Sequence, residues 1–263
     1  LGFRDVPLRG NDLLKAKRLV RESIEQGAVA FATGLSYFPH SWSDTTELIE
    51  LCREANQAGG LYVTHLRNVN TDRAFGGGLV AEALEIGRRS GVSVHFSHYR
   101  TYPHTAGKLS ERMELIDIAK SEGVDCTLEL YPYPNGSSDI VHMLPGYAQE
   151  GGPNAILERL KDPSERRRLV DYFNNDYPPL QTDQMAHAAF ETMVFTNVPS
   201  ARHLEGMNVP DVVADTGLSE GEIICNLLLD NNLQVGQRGT PPNSTALWRQ
   251  VSRDCLELLS RPD

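Results

Sequence analysis

Leu61-Tyr-Val-Thr-His65 and Val92-Ser-Val-His-Phe-Ser-His98 are two short apolar runs, each closed by a histidine, and the two histidines stand 33 residues apart. Gly78–Ser90, between them, reads as a helix. One strand, one helix and a loop take about 30 residues, the size of a βαβ unit. Both histidines then fall at the carboxyl ends of neighbouring parallel strands, the rim where β/α barrels do their chemistry. Two imidazoles converging on one rim suggest a metal site, because neutral imidazole is a good ligand for zinc and similar ions.

The same rhythm extends on both sides. Asp12–Gln26 is charged and periodic and stops at Gly27, and Ala28–Thr33 is an apolar run of the kind found in buried parallel strands. Ser43 or Asp44 can cap a helix with Leu48, Leu51, Cys52 and Ala55 on one face. After His98 come a helix from Ser110 to Gly123 and a strand over Asp125–Tyr131. Repeated βα units with short loops imply a parallel sheet, and four of them predict half a TIM barrel or more. A Rossmann-type sheet is the rival. Gly76-Gly-Gly78 lacks the strand spacing and acidic partner such a phosphate turn needs.

After Tyr131 the rhythm breaks. Pro132–Gly152 reads as a long loop over the strand ends, Asn154–Asn174 as charged and helical, and Thr192–Thr196 and Leu233–Arg238 as short strands. Val209–Thr216, Ser219–Asn231 and Thr245–Ser260 read as helices.

Both histidines have the same flanks, Thr64-His-Leu-Arg67 and Ser97-His-Tyr-Arg100. Arg67 and Arg100, on the loops beyond the strands, are placed to meet a substrate carboxylate through a bidentate contact. His95, three residues before His98, falls on the opposite strand face and is expected to point at the helices. Tyr131-Pro-Tyr133-Pro-Asn-Gly-Ser137 follows a strand directly, so its hydroxyls can bind an acyl group or a carboxylate, or the segment is a rigid turn. Tyr37 is a loop aromatic at a strand end, Glu129 a ligand or a structural partner, and His142 an outside candidate for substrate contact. His40, His104, His187 and His203 read as solvated. No G-x-S-x-G elbow occurs.

The net charge of −10 argues against binding DNA or RNA through phosphates. No apolar run approaches the roughly 20 residues of a membrane span. No signal peptide is seen, and Cys52, Cys126, Cys225 and Cys255 are scattered without a CxxC pair, which fits buried thiols in the cytoplasm.

Taken together, Ala30-Phe-Ala-Thr-Gly-Leu-Ser-Tyr-Phe-Pro39, Thr64-His-Leu-Arg67, Ser97-His-Tyr-Arg100, Tyr131-Pro-Tyr133 and Leu144-Pro145 resemble the N-acyl-D-amino-acid deacylases, the D-aminoacylase branch of the amidohydrolase superfamily. Glu150-Gly-Gly-Pro153 and Leu204-Glu-Gly206 extend the likeness from about Gly27 to the end of the chain. The resemblance implies a metal-dependent (β/α)8 barrel that hydrolyses N-acyl-D-amino acids with one or two zinc ions. It makes His65 the fifth-strand ligand and His98 the sixth-strand ligand. Arg100, Tyr131 and Ser137 become substrate contacts, joined by Arg67 from the residue reading.

Other parts of the family pattern are missing. There is no His-x-His, the bridging ligand is expected before Leu1, and Asn68 stands where an acidic residue is common. The catalytic Asp is expected beyond Asp263, so no catalytic residue is assigned within the chain. Residues 1–263 then read as a partial barrel with a family-type insertion at about 132–191, inactive by itself. A cyclic-amide hydrolase of the dihydroorotase or hydantoinase kind and a catalytically inactive barrel remnant are the alternatives. The partner is a small N-acyl amino acid, with no nucleic acid or membrane, and the oligomeric state is open.

Overall fold

The computed structural model describes residues 2–67, 72–102, 105–131, 133, 135–177, 190–239 and 245–261. The first half alternates as expected. Helix α1 (Gly10–Glu25) leads to strand β1 (Ala30–Gly34), followed by α2 (Thr45–Gln57), β2 (Leu61–His65), α3 (Leu79–Ser90), β3 (Val94–Phe96), α4 (Leu109–Ser121) and β4 (Cys126–Leu128). The four strands form one parallel sheet in the order β1-β2-β3-β4.

The sheet has one dry face. Tyr62 and Thr64 of β2 and Val94 and Phe96 of β3 are buried, while the residues between them are more open. These side chains pack against Leu48, Ile49 and Cys52 of α2, Leu84 and Ile86 of α3 and Met113 and Ile116 of α4. Each large apolar side chain moved out of water there stabilises the fold by about 1.5–3 kcal/mol. Asp44 caps α2 by accepting from the Glu47 amide at 2.8 Å. Ser110 does not cap α4: the residue before that helix is Lys108, which makes no side-chain cap.

The other face carries a row in register across the sheet: Ala32, Val63, His95 and Thr127. His95 therefore does not point at the helices. Counting three residues back from His98 assumes that the strand runs through to His98, but β3 stops at Phe96 and His98 sits in a turn with φ +41°. The bend breaks the alternation and places His95 on the same face as Val63, hence of His65. Its Nδ1 lies 2.8 Å from Thr127 Oγ1 and its Nε2 3.9 Å from the Glu129 carboxylate.

Beyond residue 135 a second layer builds its own core. Strands β5 (Ser137–Asp139), β6 (Met193–Asn197) and β7 (Gly236–Gly239) make an antiparallel sheet in the order β5-β7-β6. Around it lie α5 (Gly146–Gln149), α6 (Pro153–Lys161), α7 (Pro163–Asn175), α8 (Val209–Thr216) and α9 (Glu220–Asp230). Its core runs from Ile140 to Val235 and includes Leu160, Phe173, Phe195 and Ile224. The charged stretch after Asn154 is two helices, because Asp162 leaves helical geometry and caps α7 ahead of Pro163. The last described element, α10 (Thr245–Leu259), returns to the first layer and sets Leu258 into its core.

Candidate metal and substrate site

At the carboxyl ends of β2 and β3 the two histidines meet. Nδ1 of His65 and Nε2 of His98 share a hydrogen bond of 2.7 Å, with ring centroids 4.7 Å apart. The strands alone do not explain this. His65 ends β2 on the open face, whereas His98 reaches the same point by turning back through its positive φ. The Ser97 amide still bonds to Thr64 O, which anchors the turn to β2.

Burial is the main cause that pushes the His65 imidazolium down to about 4, with His98 and His142 adding to it. Burial also lowers His98. Both rings are therefore neutral near pH 7, the form that binds metal. Two nitrogens sharing one zinc at about 2.0–2.1 Å each would sit roughly 3.3 Å apart in tetrahedral geometry. The present pair is about 0.6 Å closer than that, so the two rings would have to part slightly to admit such an ion, and neutral imidazole nitrogens are the donors it takes. No group of three or more His, Cys, Asp or Glu suited to a metal occurs among the described residues.

Aromatic groups surround the pair. The Tyr37 ring lies 4.8 Å from His65 and 5.9 Å from His142, a residue of the second layer. Leu35 N bonds to His65 O, and Ser36 Oγ donates to Leu66 O at 2.8 Å, so the loop after β1 is tied to the end of β2. Gly34 permits the fold-back, since a Cβ there would sit 2.9 Å from the Tyr37 ring. On the other side, Tyr131 lies 6.0 Å from His98.

Arg100 is buried against Tyr131, its guanidinium 4.3 Å from that ring and 5.4 Å from the Tyr102 ring. It donates to the Tyr133 carbonyl and, at 3.3 Å, to the Tyr131 hydroxyl. Its Nε has no acceptor among the described residues.

The remaining candidates are placed differently. Ser137 pairs within the antiparallel sheet and donates to Gln237 O at 2.9 Å. The hydroxyl beside His142 is that of Ser138, 3.3 Å from the ring, and Ser138 also bonds to the Tyr37 phenol, whose proton is held more tightly chiefly by burial. Arg67 is not in the pocket. Its Nε donates to Glu82 at 2.8 Å, and its other nitrogens to the carbonyls of Ser41 and Ser43. Two residues past the end of β2, Arg67 spends all three guanidinium nitrogens on these partners and braces the loop. Asn68, His104, His187 and Asp263 lie outside the described residues.

The fold and this rim can be compared with known proteins. No family model matches the chain. An N-acyl-D-glutamate deacylase from Alcaligenes xylosoxydans xylosoxydans is 36% identical over 126 residues, covering 48% of this chain and 25% of that protein. A D-aminoacylase from the same organism is 33% identical over 128 residues, covering 48% and 26%. The likeness is to N-acyl-D-amino-acid deacylases. These deacylases also supply similar structures. The crystal structure of N-acyl-D-glutamate deacylase from Bordetella bronchiseptica, complexed with zinc and a phosphonate mimic of the tetrahedral intermediate, has a TM-score of 0.62 at 21% identity, over 93% of this chain and 41% of that one. A crystal structure of D-aminoacylase has a TM-score of 0.59 at 21% identity, with the same coverage. The structural likeness carries the fold. The chain spans well under half of these deacylases.

Proposed function

We propose that this chain forms the second half of the barrel and part of the active site of a zinc-dependent N-acyl-D-amino-acid deacylase. The observation that carries the reading is the convergence of two imidazoles, His65 and His98, at the carboxyl ends of adjacent parallel strands. The identity to curated deacylases supports it. The open-faced sheet is then an arc of a (β/α)8 barrel, with a family-type insertion at about 132–191. Among the described residues no helix is long and apolar enough to cross a membrane, and we place the enzyme in the cytoplasm.

In this reading His65 and His98 hold one or two zinc ions. When bound, zinc supplies Lewis-acid chemistry for an amide carbonyl and an acidified water. The chain's own residues bind and orient. Arg100, with an unspent Nε and a fork steadied by Tyr131, pairs with the substrate α-carboxylate. The Tyr131 hydroxyl lies at the fork and can share that carboxylate. Tyr37 covers His65 and keeps water from one side of the pair. Ser137, next to Gly136, where an added Cβ would lie 3.4 Å from the Tyr131 hydroxyl, is kept as a substrate contact in this reading.

The test is hydrolysis by the full-length, zinc-loaded protein of N-acetyl-D-glutamate, N-acetyl-D-aspartate and neutral N-acetyl-D-amino acids, with their L-enantiomers and a hydantoin as controls. D-selective amide hydrolysis abolished by His65→Ala is expected. Turnover of the cyclic amide alone, or no turnover with zinc content unchanged by His65→Ala, overturns the assignment.

A further inference from the structure

We propose that Asp254, on α10, is a positioning residue for Arg100, resting on the reading of Arg100 as the carboxylate contact. Asp254 is 2% exposed and is far from the histidine pair in sequence. One of its oxygens, Oδ2, accepts from the Thr101 hydroxyl at 2.7 Å and from the Gly107 amide at 2.8 Å. The other accepts from Gln250 Nε2 at 2.8 Å, a bond within α10 that orients the carboxylate. A single oxygen thus joins the two ends of the segment that leaves the His98 turn and enters α4.

The grip is next to the functional group. Thr101 follows Arg100 directly, and both are buried. Between the two gripped positions, the Tyr102 amide donates to Thr105 Oγ1 at 2.8 Å and the Thr105 amide returns to Tyr102 O at 2.9 Å. Tyr102, held by that turn, is the ring on the second side of the Arg100 guanidinium. Cys255, the residue after Asp254, also lies against the Arg100 guanidinium. Helix α10 therefore reaches Arg100 through its backbone, its aromatic neighbour and its side chain. A long cation aimed at a carboxylate is useful only if its stem is fixed, since an error near 1 Å can cost about 100-fold in rate.

The experiment measures kcat and KM in the full-length, zinc-loaded protein for an N-acetyl-D-amino acid and for its α-carboxamide, which lacks the carboxylate Arg100 would meet. Asp254→Ala is expected to raise KM for the acid about tenfold while KM for the carboxamide and both kcat values stay nearly constant. Asp254→Asn, which keeps an acceptor for Thr101 and Gly107, is expected to restore most of the loss. Thr101→Val removes one donor and shifts KM in the same direction by a smaller factor, which covers the case in which Asp254→Ala does not fold. Arg100→Ala is the reference and is expected to erase the preference for the acid. If Arg100→Ala erases it and neither Asp254→Ala nor Thr101→Val moves it, Asp254 is only structural and the proposal fails. If Arg100→Ala leaves the preference intact, the carboxylate assignment fails first and takes the proposal with it.

Discussion

Arg67 and Glu82 are joined by a 2.8 Å ion pair in which both side chains are 1% exposed. Glu82 also accepts from Thr45 Oγ1 at 2.9 Å, so one carboxylate connects α3 to the start of α2 and to the end of β2. Replacing Arg67 by Met would leave that carboxylate buried without its cation. Removing one partner of such a pair costs about 3–5 kcal/mol. The urea midpoint of Arg67→Met should fall accordingly. A raised KM in Arg67→Lys with an unchanged midpoint would instead return Arg67 to the substrate pocket.

The histidine pair makes a second prediction. His98→Asn removes one of two converging nitrogens and should weaken zinc binding by about 100-fold or more, since even supporting groups around a metal contribute 10–100-fold. Residues 1–263 alone should hold zinc weakly, because two imidazoles are the donors that converge here. Equilibrium dialysis with zinc alone measures both. Equal affinity in His98→Asn and the parent would remove His98 from the ligand set.

Helix α1 should be the acid-sensitive element. None of its residues is fully buried, and it is fastened to α2 by Lys17–Glu50 at 2.8 Å, Lys17–Glu54 at 3.3 Å and an Arg21–Glu54 pair. The Lys17 hydrogen bond holds Glu50 below the usual carboxylate range. Burial pushes Glu54 up, but Arg21 and Lys17 outweigh it and its carboxyl is also lowered. A carboxyl lowered in the folded state stabilises above its ordinary pKa of about 4.3, and the contribution disappears as pH falls through the lower folded value. Each such surface pair is worth about 0–1 kcal/mol. Amide protection factors over Gly10–Glu25, taken relative to intrinsic exchange at each pH, should therefore fall as pH drops from about 4.3 through the lowered folded values, before those of the strands do. Protection of α1 that persists to acid as long as that of β2 would contradict this.

Gly221 marks where α9 touches α7. A Cβ there would lie 2.4 Å from Val170 O and 2.7 Å from Val170 Cα, both backbone atoms that cannot move aside alone. Gly221→Ala should push the helices apart and destabilise by about 1–3 kcal/mol, the usual range for overpacking. A urea midpoint equal to that of the parent would mean that the helices are less closely packed than described.

The alternation of strand and helix through β4 was legible because each apolar run is local and is closed by glycine or a polar cap. That His65 and His98 close neighbouring units at one end of the sheet was legible for the same reason; the turn that brings the rings together was not. What escaped the sequence depends on single backbone angles or on distant partners. The positive φ of His98 reverses the face expected for His95. The inward turn of Arg67 follows from Glu82, fifteen residues away, which no strand pattern announces. The short strand β5 reads as loop in the sequence because its partner β7 lies 100 residues further on, as in the Ser137–Gln237 bond. Strands of three and four residues paired over such a separation leave almost no periodic signal.

The Thr101–Asp254 bond spans 153 positions of the chain. At roughly 5–20 residues per second of synthesis, the Arg100 segment leaves the ribosome some 8–30 s before the helix that fastens it exists. The parallel strands can pair meanwhile, so a nascent chain passes through an interval in which the imidazoles are already set and the guanidinium, though against Tyr131, still lacks its brace from α10. In the reading proposed above, a preference for a carboxylate would mature only once that helix is made.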